Sequence, residues 1–198
     1  MSPAHRAPPR PAGQTVRFAC AEEFETWLEA NHESHNGVWL EIAKRGAPRR
    51  SITYDEAVDL ALCHGWIDGQ KRSSDEHHWL QRFTRRTRQS RWSQINRDKA
   101  ERLLAQGRVR PAGLAEIQRA QSDGRWDSAY AGQSAATVPD DLQRELDNDS
   151  EAAVAFSQLD RQSRYSIIWR INDAKRPDTR ARRIDKYLDT IRRGEPIK

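Results

Sequence analysis

Cysteine is scarce in this sequence, and long hydrophobic runs are missing. Cys20 and Cys63 are the two cysteines among 198 residues, and no apolar stretch approaches the ~20 residues that a membrane-spanning helix needs. The first 15 residues contain four prolines and no hydrophobic core, so we expect a disordered tail over residues 1–14 and no secretory signal peptide. Two thiols without an export signal favour a reduced, cytoplasmic protein that is not transmembrane.

Apolar residues are also few, because hydrophobic residues make up 36% of the chain and charged residues 32%. The mean hydropathy is −0.98. Such a composition is typical of a helix-rich protein with well-solvated faces, and it argues against a β-sandwich or a membrane protein. A chain of this length can bury the core of one large domain or of two small ones.

Sequence motifs for nucleotides and metals do not occur. Without a Walker A or a GxGxxG segment, a glycine-rich phosphate-binding loop is not expected. A zinc site needs about four converging ligands, but there is no CxxC, HxxxH or HExxH segment, and His77 and His78 would point to opposite faces of one strand. Cys63 and His64 lie near the end of a predicted helix, where the helix dipole raises a thiol pKa, so we expect Cys63 to be a core residue. We therefore predict no metal and no cofactor.

Charge is distributed unevenly along the chain. Residues 71–110 and 161–198 are basic, and residues 139–160 are acidic. Such asymmetry can serve an anionic partner, or the acidic block can pair with the basic ones within the fold. We favour internal pairing, because acids such as Asp98 and Asp185 interrupt every long positive run.

Hydrophobic periodicity and capping residues predict an α+β domain over residues 15–125. The first expected elements are a helix around Phe24, Trp27 and Leu28 and a strand over 38–43. A second helix opens with the capping box of Thr53 and Glu56 and ends at Gly65, and strands over 66–72 and 77–84 follow it. The last two are a helix capped by Ser90 that ends at Gly107, and a helix from Pro111 to Gly124 with Leu114, Ile117 and Gln121 on its inner face. Trp92 and Asn96 are expected on the inward face of the Ser90 helix.

The remainder of the chain is predicted to be helical. Residues 126–138 lack periodicity and indicate a linker, and residues 139–198 form an all-helical module. Its helices are marked by Pro139 with Leu142 and Leu146, by Ala153, Phe156 and Leu159, by Tyr165, Ile168, Trp169 and Asn172, and by Thr179 with Ala181, Ile184, Leu188 and Ile191.

The segment from Leu60 to Arg97 concentrates the residues that can build a binding site. Three of the seven tryptophans lie in it, and indole rings can stack on a ligand while arginine takes an anionic group. The predicted ligand-binding residues are Trp66, Asp68, Lys71, Trp79, Arg82, Arg91, Trp92 and Asn96. The alternative is that the tryptophans form a core from which the arginines reach into solvent.

Asp68 is the one candidate catalytic residue. It lies between Ile67 and Gly69, where apolar walls can raise a carboxyl pKa and make the group a general acid or base. The alternative is an Asp-Gly turn in which the carboxylate bonds its own backbone. The sequence does not decide whether the protein is an enzyme.

A basic run lies next to these residues and leaves nucleic-acid binding open. Its members are Arg82, Arg85, Arg86, Arg88 and Arg91. Because no recognised nucleic-acid-binding motif accompanies them, we rank this function below small-molecule binding.

Five segments together resemble the YdeI/OmpD-associated family, also called bacteriocin-protection proteins. They are ALCHGWIDGQK at 61–71, HWLQRFTRR at 78–86, SRWSQINRDKAERL at 90–103, GRVRPAGLAEI at 107–117 and RINDAKRPDTRARRI at 170–184. The resemblance extends over residues 17–197 and implies a YjbR/CyaY-like fold, a small antiparallel sheet packed with helices, followed by the helical module. The chain departs from the family at His64, where an aromatic residue is usual, and at Arg85, where proline is common.

The resemblance implies a link to tolerance of cationic antimicrobial peptides and to envelope stress, without an established catalytic mechanism. We therefore expect a cytoplasmic stress protein that binds a small anionic or amphipathic ligand in a tryptophan-lined cleft. The alternatives are binding of nucleic acid or an acidic protein through the basic faces, and an enzyme that uses Asp68 as general acid or base.

Overall fold

Alternating apolar residues produce the central strands, as the sequence predicts. In the computed structural model, which describes residues 14–132 and 135–197, the chain forms a four-stranded sheet and eight helices. It divides into two compact units, the first ending at Ala129 and the second beginning at Tyr130. The fold class is the expected α+β, with a helical C-terminal unit.

From residue 14 onward, the part of the first unit that the structure describes, the chain forms the sheet and four helices. In chain order these elements are β1 (Thr15–Val16), α1 (Ala21–Asn31), β2 (Val38–Ala43), α2 (Tyr54–Cys63), β3 (Trp66–Ser73), β4 (His78–Arg85), α3 (Gln94–Ala105) and α4 (Pro111–Ser122). The strand order is β1-β2-β4-β3. The three longer strands are antiparallel, and the short β1 adds a parallel pair with β2.

Register decides which side chains of the sheet face the core. Val38 lies opposite Phe83, and Ile42 lies opposite Trp79, so the apolar residues of β2 and β4 share one face. Trp79 and Phe83 therefore share this face of β4, and Leu80 lies on the other. The largest fully buried side chains of this unit are Trp66, Trp92, Phe24, Phe83, Leu28, Leu40, Ile52, Leu103 and Ile117.

Local signals determine where α2 begins and ends. The Thr53 hydroxyl accepts the N–H of Glu56 at 3.3 Å, and the Glu56 carboxylate accepts the N–H of Thr53 at 2.9 Å, so the predicted capping box is confirmed. Gly65 follows the helix with a φ of 73°, a left-handed conformation that glycine adopts without a steric penalty.

The start of α3 differs from the prediction. Ser93 rather than Ser90 is the N-cap, because its hydroxyl accepts the N–H of Asn96 at 3.1 Å. Ser90 instead closes a turn, in which its hydroxyl accepts the N–H of Thr87 at 2.9 Å. Trp92 therefore precedes the helix instead of lying on its inner face.

The inner face of α4 also differs from the prediction. Leu114 is 38% exposed, and Ala120 is buried where Gln121 was expected. The helix begins at Pro111 and places Gly113 against the end of α2, where a Cβ on Gly113 would lie 2.2 Å from the Cys63 carbonyl oxygen. This close approach selects glycine inside the helix.

The second unit contains four helices among its described residues. They are α5 (Asp140–Asp147), α6 (Ser150–Gln158), α7 (Arg161–Asn172) and α8 (Pro177–Arg192), and none of the described helices of the chain has the length and apolar character of a membrane span. The buried residues are Leu142, Leu146, Ala152, Phe156, Ile167, Ile168, Ile171, Ile184, Tyr187, Leu188 and Ile191.

Three of the residues that mark these helices in the sequence, Tyr165, Asn172 and Ala181, are not buried in the structure. In α7, Ile167 and Ile171 are buried where Tyr165 and Asn172 were expected. The last helix begins at Pro177 rather than at Thr179, since proline needs no N–H partner in a first turn. Ala181 is exposed, although Ile184, Leu188 and Ile191 of the same predicted stripe are buried.

The predicted linker over residues 126–138 begins within the first core. Trp126 is 7% exposed, and its ring centroid lies 4.8 Å from that of Trp92. Residues 133 and 134 lie outside the described residues, as do residues 1–13 of the predicted disordered tail.

Ion pairs join the acidic and basic blocks of the second unit, as expected. Arg180 binds Asp141 through two hydrogen bonds of 2.5 and 2.8 Å, and Arg192 binds Asp149. The hydrogen bond from Arg180, with its positive charge, lowers the pKa of Asp141. Much of the charge asymmetry is therefore neutralised within the unit.

We predict that replacing Gly113 with alanine destabilises the first unit. The added methyl group meets the Cys63 backbone, which cannot move aside as a flexible side chain would. We expect a loss of about 2–3 kcal/mol in the free energy of unfolding, measured by denaturant titration of the full chain. Alanine at Gly107, where no atom lies within 4 Å of the added Cβ, is the control and should cost about 1–2 kcal/mol through its left-handed backbone alone. Equal losses in both variants would contradict the predicted clash.

Candidate functional site

A β-bulge in β3 brings Asp68 and Lys71 to the same face of the sheet. Asp68 lies opposite Phe83, and Lys71 lies opposite Gln81, so three residues of β3 span two residues of β4. In a regular strand, residues three apart point to opposite faces. The extra residue of the bulge shifts this alternation by one position, so the side chains of Asp68 and Lys71 both lie on the face that carries Trp79.

Gln81 holds this bulge in place. Its side chain is buried, and its amide nitrogen donates to the carbonyl of Gly69 at 2.9 Å and to that of Arg82 at 3.4 Å. Sequence reasoning missed Gln81, although a polar residue between Trp79 and Phe83 on an inward face was an available indication. A buried amide needs partners, and the irregular backbone of the bulge supplies one.

Four side chains converge beside the bulge and form what we call the Tyr54 cluster, consisting of Tyr54, Asp68, Lys71 and Trp79. The Tyr54 hydroxyl donates to Oδ2 of Asp68 at 2.7 Å, and its ring lies 5.7 Å from that of Trp79. Nζ of Lys71 lies 4.1 Å from the centroid of the Trp79 ring. Tyr54, in the first turn of α2, was not among the predicted site residues, because no residue pattern shows that α2 begins beside β3.

The Tyr54 cluster combines three kinds of binding group at the protein surface. Tyr54 and Lys71 are exposed, and Asp68 and Trp79 are half-buried. An ammonium group can pair with an anion, two aromatic rings offer an apolar platform, and a carboxylate can accept an N–H or O–H donor. Together these groups suit a small molecule that carries both an anionic group and an apolar ring.

Two of the predicted site residues are buried instead. Trp66 is 0% exposed, and its indole N–H donates to the carbonyl of His32 at 3.2 Å. Trp92 is buried between Trp126 and the guanidinium of Arg86, which lies 3.5 Å from its ring centroid. Neither ring offers a surface to a ligand in this fold, so we leave both out of the proposed site.

The other three predicted residues lie apart from the bulge face. Arg82 points to the opposite face of the sheet, where its guanidinium lies 5.7 Å from the ring of Trp39. Arg91 is in the segment before α3, and its carbonyl accepts a hydrogen bond from Arg86. Asn96 is in the first turn of α3. Of the eight predicted residues, the Tyr54 cluster contains Asp68, Lys71 and Trp79.

His64 is buried without a hydrogen-bond partner among the described residues. It is 3% exposed, and neither ring nitrogen has a partner. Burial lowers its pKa, and His32, whose ring lies 5.6 Å away, and Arg110 lower it further, against the opposite effect of Glu25 and Glu29. His64 therefore favours the neutral state in the folded protein.

Cys63 is a core residue, as predicted. It is buried, and burial raises the pKa of its thiol to about 11. The helix dipole was the expected cause of a raised pKa, whereas removal of the Cys63 thiol from water is the largest effect in the structure. A thiol in this state is a poor nucleophile at neutral pH. Neither Cys63 nor Cys20 is in a disulfide.

Glu41, Asp75 and His78 bring ligand atoms within 4.8 Å of one another, a spacing that could hold a metal ion. Other groups already occupy these atoms. Glu41 pairs with Arg17 at 2.5 Å, and Oδ1 of Asp75 accepts the backbone N–H groups of His77 and His78, each at 2.7 Å. These contacts stabilise the turn between β3 and β4 and the adjacent strand, which accounts for the cluster without an ion.

Two family models match different parts of the chain. A model described as a domain of unknown function, DUF8412, matches residues 16–116, which include the whole Tyr54 cluster. The chain belongs to the DUF8412 family. A second model, described as "Bacteriocin-protection, YdeI or OmpD-Associated", matches residues 135–194. The resemblance found in the sequence is thus shown for the C-terminal residues, whereas the N-terminal residues match the other model.

Comparison with curated proteins gave no significant match. Comparison with solved structures also gave none.

We predict that His64 makes the folded protein sensitive to acid. Because its pKa in the folded state is below the unfolded value of 6.5, the unfolded chain binds the proton first as the pH falls. The stability contributed by neutral His64 is therefore present above pH 6.5 and is lost as the pH falls toward the lowered pKa, by up to about 1.4 kcal/mol per pH unit.

Replacing His64 with phenylalanine should remove this part of the pH dependence. We expect a smaller difference in the free energy of unfolding between pH 7.5 and pH 5.5 than in the wild-type protein, measured by denaturant titration. Replacing the exposed His77 with glutamine is the control and should leave the difference unchanged. An unaltered pH dependence in the His64 variant would show that protonation of this ring does not cause the loss of stability at acidic pH.

Proposed function

We propose that this protein binds a small anionic or amphipathic ligand on the Tyr54 cluster. The observation that carries the proposal is the bulge, because it places the Lys71 ammonium and the Asp68 carboxylate beside the exposed ring of Tyr54 and the half-buried ring of Trp79. β3 is an edge strand of the sheet, a position where bulges are common. Bulges recur next to binding sites because they redirect side chains.

Each group of the cluster has a distinct task in this proposal. Lys71 pairs with the anionic group of the ligand, and the rings of Tyr54 and Trp79 cover its apolar part. Asp68 is already oriented by the Tyr54 hydroxyl through Oδ2, so Oδ1 is available for a donor of the ligand. Asp68 is a binding group here, and a catalytic role for it remains the alternative.

The match of residues 135–194 supports a wider role for the chain. We propose that it is a YdeI/OmdA-like stress protein that contributes to tolerance of antimicrobial peptides. The family description supports the association with bacteriocin protection. The free thiols of Cys20 and Cys63 support a reduced, cytoplasmic location.

Binding of nucleic acid receives less support. Several basic side chains of the first unit already pair with acids, as in Lys99 and Arg102 with Asp59, or Arg110 with Glu25. Phosphate-driven binding needs unpaired cations on one surface. We therefore keep the small ligand as the main proposal.

We predict that indole-3-acetate, which combines a carboxylate, a flat ring and an N–H donor, binds the Tyr54 cluster. Replacing Trp79 with alanine should weaken binding about fivefold, and replacing Lys71 about two- to fivefold, because an aromatic contact is worth about 1 kcal/mol and an exposed ion pair about 0.5–1 kcal/mol. Isothermal titration calorimetry measures the affinity. Chemical-shift changes at the Trp79 indole N–H locate the probe on the protein.

The matched control is alanine at Lys186, an exposed lysine of α8 in the second unit. This variant should bind indole-3-acetate as the wild-type protein does, and circular dichroism confirms that each variant is folded. Unchanged affinity in both cluster variants, or shift changes confined to residues outside the cluster, would refute the proposed site.

A further inference from the structure

The second unit contains a cavity that the proposed function does not use. Its volume is about 240 Å³, and it lies between the end of α6 and the start of α7. The residues that line it are Ala136, Val138, Phe156, Arg161, Arg164, Tyr165 and Ile168. An apolar floor is therefore combined with two guanidinium groups on a single short stretch of helix.

The two arginines differ from most others of the second unit. Arg180 and Arg192 are bound to aspartates, whereas the side chains of Arg161 and Arg164 have no hydrogen bond or ion pair with any described residue. The nearest acid in the sequence is Asp160, whose carboxylate accepts the N–H and the hydroxyl of Ser163 at 2.8 and 2.9 Å; these bonds, and after them the charge of Arg164, lower its pKa, so one carboxylate faces two guanidinium groups. The cavity thus has a net positive rim.

Tyr165 completes the polar part of the wall and stays neutral at physiological pH. Its hydroxyl donates to the carbonyl of Ala131 at 3.2 Å, and burial, followed by the influence of Tyr130, raises its pKa. It contributes an aromatic ring and adds no negative charge to oppose an anion. The neutral wall, the apolar floor and the cationic rim all favour the same kind of molecule.

We infer that this cavity binds a small carboxylic acid with a short apolar chain. Arg161 and Arg164 take the carboxylate, since guanidinium and carboxylate match in geometry and charge. The apolar part lies against Phe156, Ile168 and Val138. The volume is below the range of typical drug-sized pockets, so the occupant is a short-chain acid rather than a long-chain lipid. This site is independent of the Tyr54 cluster.

Sodium octanoate is the probe that tests the inference on the full chain. In a methyl-labelled sample, octanoate should shift the resonances of Ile168 and Val138 with a dissociation constant in the millimolar range. 1-Octanol, which has the same chain without the charge, should bind at least tenfold more weakly. Equal binding of octanol would overturn the role of the arginines, and an absence of shifts at Ile168 would overturn the site.

Variants separate specific recognition from general charge. Replacing both Arg161 and Arg164 with glutamine should weaken octanoate binding at least tenfold, whereas glutamine at Arg144, an exposed arginine of α5, should not change it. Lysine at both positions keeps the charge and should restore part of the affinity if the glutamine variant folds poorly. Equal losses in the Arg144 variant would overturn the inference. Loss of indole-3-acetate binding in the cluster variants has no effect on this result, so the two proposals fail separately.

Discussion

The proposed site depends on one hydrogen bond above all, the bond from the buried amide of Gln81 to the carbonyl of Gly69 within the bulge. Leaving a buried amide unpaired costs about 1–3 kcal/mol, so Gln81 stabilises the bulged pairing over a regular one. With the bulge, Lys71 lies on the same face as Asp68 and Trp79. Without it, the ammonium group would point to the other side of the sheet, and the Tyr54 cluster would lose its cation.

Elements defined by local chemistry could be predicted from the sequence, and those defined by packing could not. The capping box of Thr53 and the left-handed Gly65 depend on neighbours in the chain, so α2 was predicted at its true limits. The burial of Trp66 and Trp92 depends on contacts with Trp27 and Trp126, which no periodicity reveals. The site was partly predicted for the same reason: the sequence indicates that Asp68, Lys71 and Trp79 are close along the hairpin, but a bulge changes their faces.

Ion pairs between charged side chains help to hold the second unit together. Its acidic and basic blocks pair internally through bonds such as Arg180 with Asp141 and Arg192 with Asp149, so its high content of charged residues produces structure as well as solubility. Against this background the guanidinium groups of Arg161 and Arg164, which line a cavity and form no salt bridge with a described residue, are informative. The two units thus present different surfaces, an aromatic platform with one ammonium group in the first and a cationic rim over an apolar floor in the second.

The pairing of β3 with β4 is the most direct test of this account. Nuclear Overhauser effects between the backbones of the two strands, in uniformly labelled protein, report which residues lie opposite one another. We predict contacts of Asp68 with Phe83 and of Lys71 with Gln81. Contacts of Gln70 with Gln81 and of Lys71 with Leu80 would indicate a regular ladder, would place Lys71 on the opposite face from Asp68, and would contradict the proposed site.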